Sequence, residues 1–292
     1  MRPGAQRAGD EGKRGCGAVT ADIDVTTGLR YGGSGRYLDV YRPAAVPGPA
    51  PVVLLWHGRG PDERDVLAPL ARAAAGLGLL VLVPDWRSDA PDGGSAHLRD
   101  SVAFARREAA DLGGDDRTLV LAGWSMGAKA AVAAALNPAA FDGWRPTAVV
   151  GIAGAYGTAS PVTGTAPVED LGSGRAGRVA PVPVRLLHGT ADQVVDAGRS
   201  RELHAALAGR GWPVTLDEVD SDHAGVVMTA YAPKLGRCVP SAAGHAVRAG
   251  RRAAALLAEA AGTAPAPGIR RDPPGRPRAA GNVQSIAPGR SL

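Results

Sequence analysis

Short apolar runs recur along the chain with room for a helix between them. The runs are Val52–Trp56, Leu79–Pro84, Thr118–Ala122, Ala148–Ala153, Val184–Leu187 and Val214–Val219. As a set they are apolar on both faces, as parallel strands covered by helices should be. Ala-rich segments with helical patterning follow: Val66–Gly76, His97–Leu112, Ala128–Leu136 and Arg199–Gly209. Leu235–Ala261 closes the pattern, with His245–Ala260 as its clearest helix. Strands alternating with helices predict crossover units, a mostly parallel sheet and the α/β class. Ahead of them Tyr37–Tyr41 alternates and is followed by Pro43, which suits an antiparallel strand near the sheet edge. No internal repeat is present.

The patterning stops at both ends, and composition explains why. Met1–Thr27 is rich in glycine and charge, and from Gly262 onward the chain is mostly Pro, Gly, Ala and Arg. Such segments bury too little surface to offset the entropy of ordering. The expected organisation is a disordered segment over 1–28, one domain over 29–261 and a disordered basic tail over 262–292. The formal net charge of +5 is not spread evenly. Residues 31–261 hold 23 basic and 23 acidic groups, so the tail carries most of the excess. A neutral body argues against a nucleic-acid-binding face. No run reaches the 18 or so apolar residues of a membrane span, and the N-terminus lacks the apolar core of a signal peptide. A cytoplasmic protein without a membrane partner is expected. The two cysteines, Cys16 and Cys238, fit neither a disulfide framework nor a zinc cluster.

The chemistry concentrates in Leu119-Val-Leu-Ala-Gly-Trp-Ser-Met-Gly-Ala-Lys-Ala. A serine between a strand end and a helix start sits in a sharp, strained turn, and Gly123 and Gly127 remove side chains that would collide with the flanking elements. Ser125 would then stand at the C-terminal edge of the sheet, at the positive end of the next helix. A serine hydroxyl needs a base and a group to orient that base. In this architecture they follow in the order serine, acid, histidine. Asp192 lies in the loop after Val184–Leu187, and His223 in the loop after Val214–Val219. Asp196 is the rival acid, and Asp222 reads as a solvated loop residue. His97 and His204 fall on helical segments, His245 starts the last helix, and His188 ends a strand where it can order the acid loop from inside. The His57-Gly-Arg-Gly turn can aim backbone N–H groups at a developing oxyanion, with the Met126 N–H as partner donor.

From Arg36 to Leu257 these residues resemble the α/β-hydrolase superfamily, and more closely the carboxylesterases related to hormone-sensitive lipase and the bacterial feruloyl-esterase-like group. The shared features include Leu38-Asp-Val-Tyr-Arg-Pro, the His57 turn, Leu82-Val-Pro-Asp-Trp-Arg, Gly113-Gly-Asp-Asp-Arg, the serine turn, and the acid and histidine loops. The resemblance implies Ser125 as nucleophile, His223 as general base and acid, and Asp192 as its orienter. Arg59 and Met126 become the backbone oxyanion donors, with Gly60 as the alternative. It implies no cofactor and no metal. The family's His-Gly-Gly-Gly reads His-Gly-Arg-Gly here, and Gly-Asp-Ser-Ala-Gly reads Gly-Trp-Ser-Met-Gly. Trp124 is expected to pack under the nucleophile. The only sizeable insertion, Gly154–Ala180, is expected to form a small flap in place of a large cap, which favours small or accessible acyl esters. A thioesterase or acyltransferase, a small-peptide or amide hydrolase, and a catalytically inactive binding protein are the alternatives. Oligomeric state and the two halves of the substrate are not legible.

Overall fold

A computed structural model describes residues 22–44, 47–174 and 179–263. Its centre is an eight-stranded sheet in the order β1-β2-β4-β3-β5-β6-β7-β8. The first two strands, β1 (Ile23–Tyr31) and β2 (Arg36–Pro43), form an antiparallel hairpin, and β2 joins β4 (Leu80–Pro84) antiparallel. From there β3 (Ala50–Trp56), β5 (Gly114–Trp124), β6 (Ala148–Ile152), β7 (Val184–Gly189) and β8 (Val214–Val219) run parallel. The expected mostly parallel sheet is therefore what forms.

Alternation within the strands divides the core into two layers. Val52, Leu54 and Trp56 of β3 face α2 (Ser95–Glu108), α3 (Met126–Leu136), α4 (Pro167–Ser173) and α5 (Gly198–Ala208). Val53 and Leu55 face α1 (Ala68–Ala75) and α6 (Gly244–Ala260). Helix α3 is unlike the others, because ten of its eleven residues are buried. Six are alanines, and small side chains let the helix lie close against β5 and β6. The six expected strand runs and the helices between them are all present, with ends shifted by a few residues.

Three elements depart from expectation. The chain is already a strand from Ile23, inside the segment expected to be disordered to residue 28. The alternation of Ile23 and Val25 is interrupted at Gly28, whose φ of +73° breaks the register between Thr26 and Leu29. That bulge hides the strand in the sequence. Residues 1–21 and the tail from 264 lie outside the described residues. Second, the described residues of Gly154–Ala180 pack into the body of the domain in place of the expected flap. Helix α4 packs on α3 and α5, and Tyr156, Val162 and Leu171 join the main core. Third, a separate two-stranded ribbon, β9 (Thr229–Ala232) with β10 (Arg237–Pro240), stands between the histidine loop and α6. The sequence pattern left that stretch without strands.

Candidate active site

Parallel strands end on one edge, and the loops after β5, β7 and β8 meet there. Ser125 occupies the turn between β5 and α3 with φ +57° and ψ −117°, a conformation that costs a non-glycine residue about 1–3 kcal/mol. The turn is held from both sides: Ser125 N–H donates to the Ile152 carbonyl at 2.8 Å, and its own carbonyl accepts the Lys129 N–H. Close approach leaves no room for side chains on the flanking glycines. A Cβ on Gly127 would lie 2.4 Å from the Trp56 carbonyl oxygen, and one on Gly123 would lie 2.2 Å from the Gly127 carbonyl carbon.

His223 Nε2 stands 3.1 Å from Ser125 Oγ, and its Nδ1 is 2.7 Å from Asp192 Oδ2. The side chain of Asp192 has no exposed surface. Burial alone would raise its pKa. Hydrogen bonds from His188, His223 and the Val195 amide outweigh burial and hold the carboxyl well below the usual carboxylate range. Oδ1 accepts the Val194 and Val195 amides, each at 2.8 Å. On the far side, His188 Nε2 lies 3.2 Å from Asp192 Oδ2, while His188 Nδ1 meets Ser200 Oγ at 2.7 Å. His188 thus orders the acid loop from within. Asp196 is exposed and accepts the Gly198 amide, remote in role from His223. Asp222 accepts the Ala224 and Gly225 amides and so shapes the histidine loop. Trp124 does more than pack under the serine. Its Nε1–H donates to the His223 carbonyl at 2.8 Å, and its ring lies 5.2 Å from the imidazole.

The His57 turn faces the same edge. Met126 is the first residue of α3, so its N–H has no acceptor within the helix. Among the described residues no acceptor meets the N–H of Met126 or Arg59. The turn is set by the buried His57 ring. Its Nε2 accepts the Trp86 amide at 3.2 Å and the Glu63 amide at 3.4 Å, which leaves Nδ1–H to donate to the Gly58 carbonyl at 3.1 Å. Burial pushes the His57 pKa down to about 3. The folded ring therefore refuses a proton that the unfolded chain accepts below about 6.5. Between those values the unfolded state binds more protons, so stability falls as pH falls, by up to about 1.4 kcal/mol per pH unit from this group. Urea unfolding of wild type and His57→Gln at pH 6.5 and pH 5 should show a shallower loss in the variant. Equal losses would remove His57 as the cause.

The cleft beside Ser125 holds about 820 Å³ and is lined by Arg59, Gly60, Glu63, Met126, Tyr231 and Cys238, among others. The ribbon β9–β10 thus supplies one wall of the cleft. The missed signal was Thr-Ala-Tyr-Ala and Arg-Cys-Val-Pro on either side of a four-residue, Gly-containing turn. Lys129, inside the serine motif, is buried and its Nζ donates to Thr158 Oγ1 at 2.7 Å. Among the described residues no group of three or more His, Cys, Asp or Glu is placed to hold a metal ion. None of their helices is long and apolar enough to cross a membrane.

No protein-family model matches the chain, and no curated protein matches it by sequence. Solved structures do. Thermogutta terrifontis esterase 2, phosphorylated by paraoxon, is 18% identical with a TM-score of 0.64, over 84% of this chain and 97% of that one. A candidate dienelactone hydrolase of Klebsiella pneumoniae is 19% identical with a TM-score of 0.61, over 82% of this chain and 99% of its own. A truncated carbohydrate esterase from gut microbiota is 15% identical with a TM-score of 0.59, over 84% and 99%. The likeness runs through nearly the whole length of each neighbour while sequence identity stays low, so it is the architecture that is shared: the chain has the α/β-hydrolase fold.

Proposed function

We propose that the chain is a serine hydrolase that cleaves carboxylic esters through an acyl-enzyme. The observation that carries this reading is the unbroken line of contacts from Asp192 through His223 to Ser125, beside the Met126 and Arg59 amides, which meet no acceptor among the described residues. His223 Nε2 takes the Ser125 proton as Oγ attacks the ester carbonyl carbon. The carbonyl oxygen becomes an oxyanion, held by the Met126 N–H and by that of Arg59 or Gly60. Loss of one such donor typically costs about 10²–10³ in rate. Collapse breaks the bond to the alcohol oxygen, which receives the proton from His223. Water then attacks the acyl-enzyme, His223 takes its proton, and Ser125 leaves with that proton restored. Asp192 stays ionised and holds the imidazole with Nε2 turned to the serine. None of these steps needs a cofactor.

The open cleft suits small or accessible acyl groups, and the sequence expectation of a cytoplasmic enzyme acting on a small molecule is carried over. The wild-type protein should label with a fluorophosphonate and hydrolyse p-nitrophenyl esters, with kcat/KM falling from acetate to decanoate. Labelling without hydrolysis of any ester would keep the serine chemistry and move the substrate to thioesters or amides. Absence of labelling would overturn the reading.

A further inference from the structure

A general base must be held at its nucleophile, and the Asp192 contact fixes only the Nδ1 side of the His223 ring. The backbone behind that ring is met by Trp124. Its Nε1–H donates to the His223 carbonyl at 2.8 Å in a buried bond. Trp124 is also the residue before Ser125 in the chain. The peptide link between them, the indole bond and the 3.1 Å approach of His223 Nε2 to Ser125 Oγ therefore close a circuit from nucleophile to base and back.

The donor in this circuit is itself fixed. Trp124 is 6% exposed and pairs in register with Ile152 at the end of β5, where the Ile152 carbonyl also accepts the Ser125 N–H. Its six-membered ring lies against the His57 turn. A Cβ added to Gly58 would meet Trp124 Cζ3 at 3.2 Å and Cε3 at 3.3 Å. The imidazole of His223 packs on the same indole, with ring centres 5.2 Å apart. We infer that Trp124 is a positioning residue for the general base: its indole N–H sets where the His223 backbone stands, and so where Nε2 meets the serine. The inference rests on the proposed ester hydrolysis and adds a residue to its machinery. A buried carbonyl that loses its donor carries a desolvation cost until it finds another partner. The histidine loop would shift to find one and carry the imidazole off Oγ. A misplacement of about 1 Å costs about 10²-fold in rate.

Two variants test this. Trp124→Phe keeps a ring near Gly58 and removes the donor. Trp124→benzothienylalanine, introduced at this one codon by suppression, keeps the bicyclic shape and puts sulfur in place of the N–H. Both are assayed on p-nitrophenyl acetate beside wild type, well below their thermal midpoints. Each should lower kcat and kcat/KM by a common factor of about 10–100, the pattern of an interaction realised in the transition state. Fluorophosphonate labelling of Ser125 should slow by a similar factor. A role in packing alone would lower the midpoint and leave kcat and the labelling rate at the wild-type level. That result in the folded benzothienylalanine variant overturns the inference and leaves ester hydrolysis standing. So does a rise in KM with kcat unchanged. If Trp124→Phe does not fold, the isosteric variant decides alone. If no ester turns over, the labelling rates of wild type and variants decide by the same comparison. A wild-type protein that does not label loses both the hydrolase reading and the role of Trp124.

Discussion

Ser125→Ala is expected to lower kcat by about 10⁶-fold, the loss seen when the nucleophile of a serine triad is removed. The fold should be unaffected. The substitution deletes one hydroxyl whose contact is His223 Nε2, while Cβ and the backbone bonds of the turn remain. His223 keeps its contact with Asp192 and its carbonyl keeps the Trp124 indole. Three readings on one preparation make the case: ester hydrolysis lost, fluorophosphonate labelling lost, thermal midpoint within a few degrees of wild type. A folded variant that still labels fully would show that the reactive residue is another one.

Gly123→Ala is expected to fail for a different reason, before any substrate is met. The added Cβ would meet the Gly127 carbonyl carbon at 2.2 Å, its oxygen at 2.3 Å and the Ala128 nitrogen at 2.6 Å. All three are backbone atoms, so no rotamer change relieves the contact. Helix α3 would have to retreat from β5, but it is buried on all sides and has nowhere to go. Overpacking in a tolerant site costs about 1–3 kcal/mol. Here a loss of at least about 3 kcal/mol is expected, a fall in midpoint of roughly 6–12 °C for a domain of this size. Differential scanning of the soluble fraction measures it. A midpoint equal to wild type would show that the helix can move off the strand, and the close-approach account of the turn would fail.

The strands that sit inside the sheet were legible because burial on both faces leaves an apolar signature that few other elements share. Parallel strands also end on one edge, so the positions of Ser125, Asp192 and His223 after β5, β7 and β8 place them on that edge without any knowledge of distances. What escaped was what burial does not mark. β1 is half exposed and interrupted by the Gly28 bulge, and the ribbon β9–β10 has strands of only four residues. The Trp124 indole bond to the His223 carbonyl spans 99 residues, and the pairing of Lys129 with Thr158 depends on how α3 lies against the loop after β6. Such contacts are properties of packing and leave no periodic trace. The described part of the Gly154–Ala180 segment was misjudged for the converse reason. Its composition is that of a loop, yet Tyr156 and Leu171 anchor it in the core.

The ribbon β9–β10 joins no strand of the main sheet, and Tyr231 and Leu235 stand 61% and 66% exposed on it. It therefore divides labour within the domain. The reacting groups hang from the most deeply buried helix and strand ends, while one wall of the cleft is an appendage inserted between the histidine loop and α6. Thr229 is buried and bonds the Ala224 carbonyl beside His223, so the ribbon is tied to that loop at its start, while Tyr231 near its tip is exposed and borders the cleft. An engineer seeking a new substrate range would diversify Tyr231 and residues 235–238 first and keep Thr229.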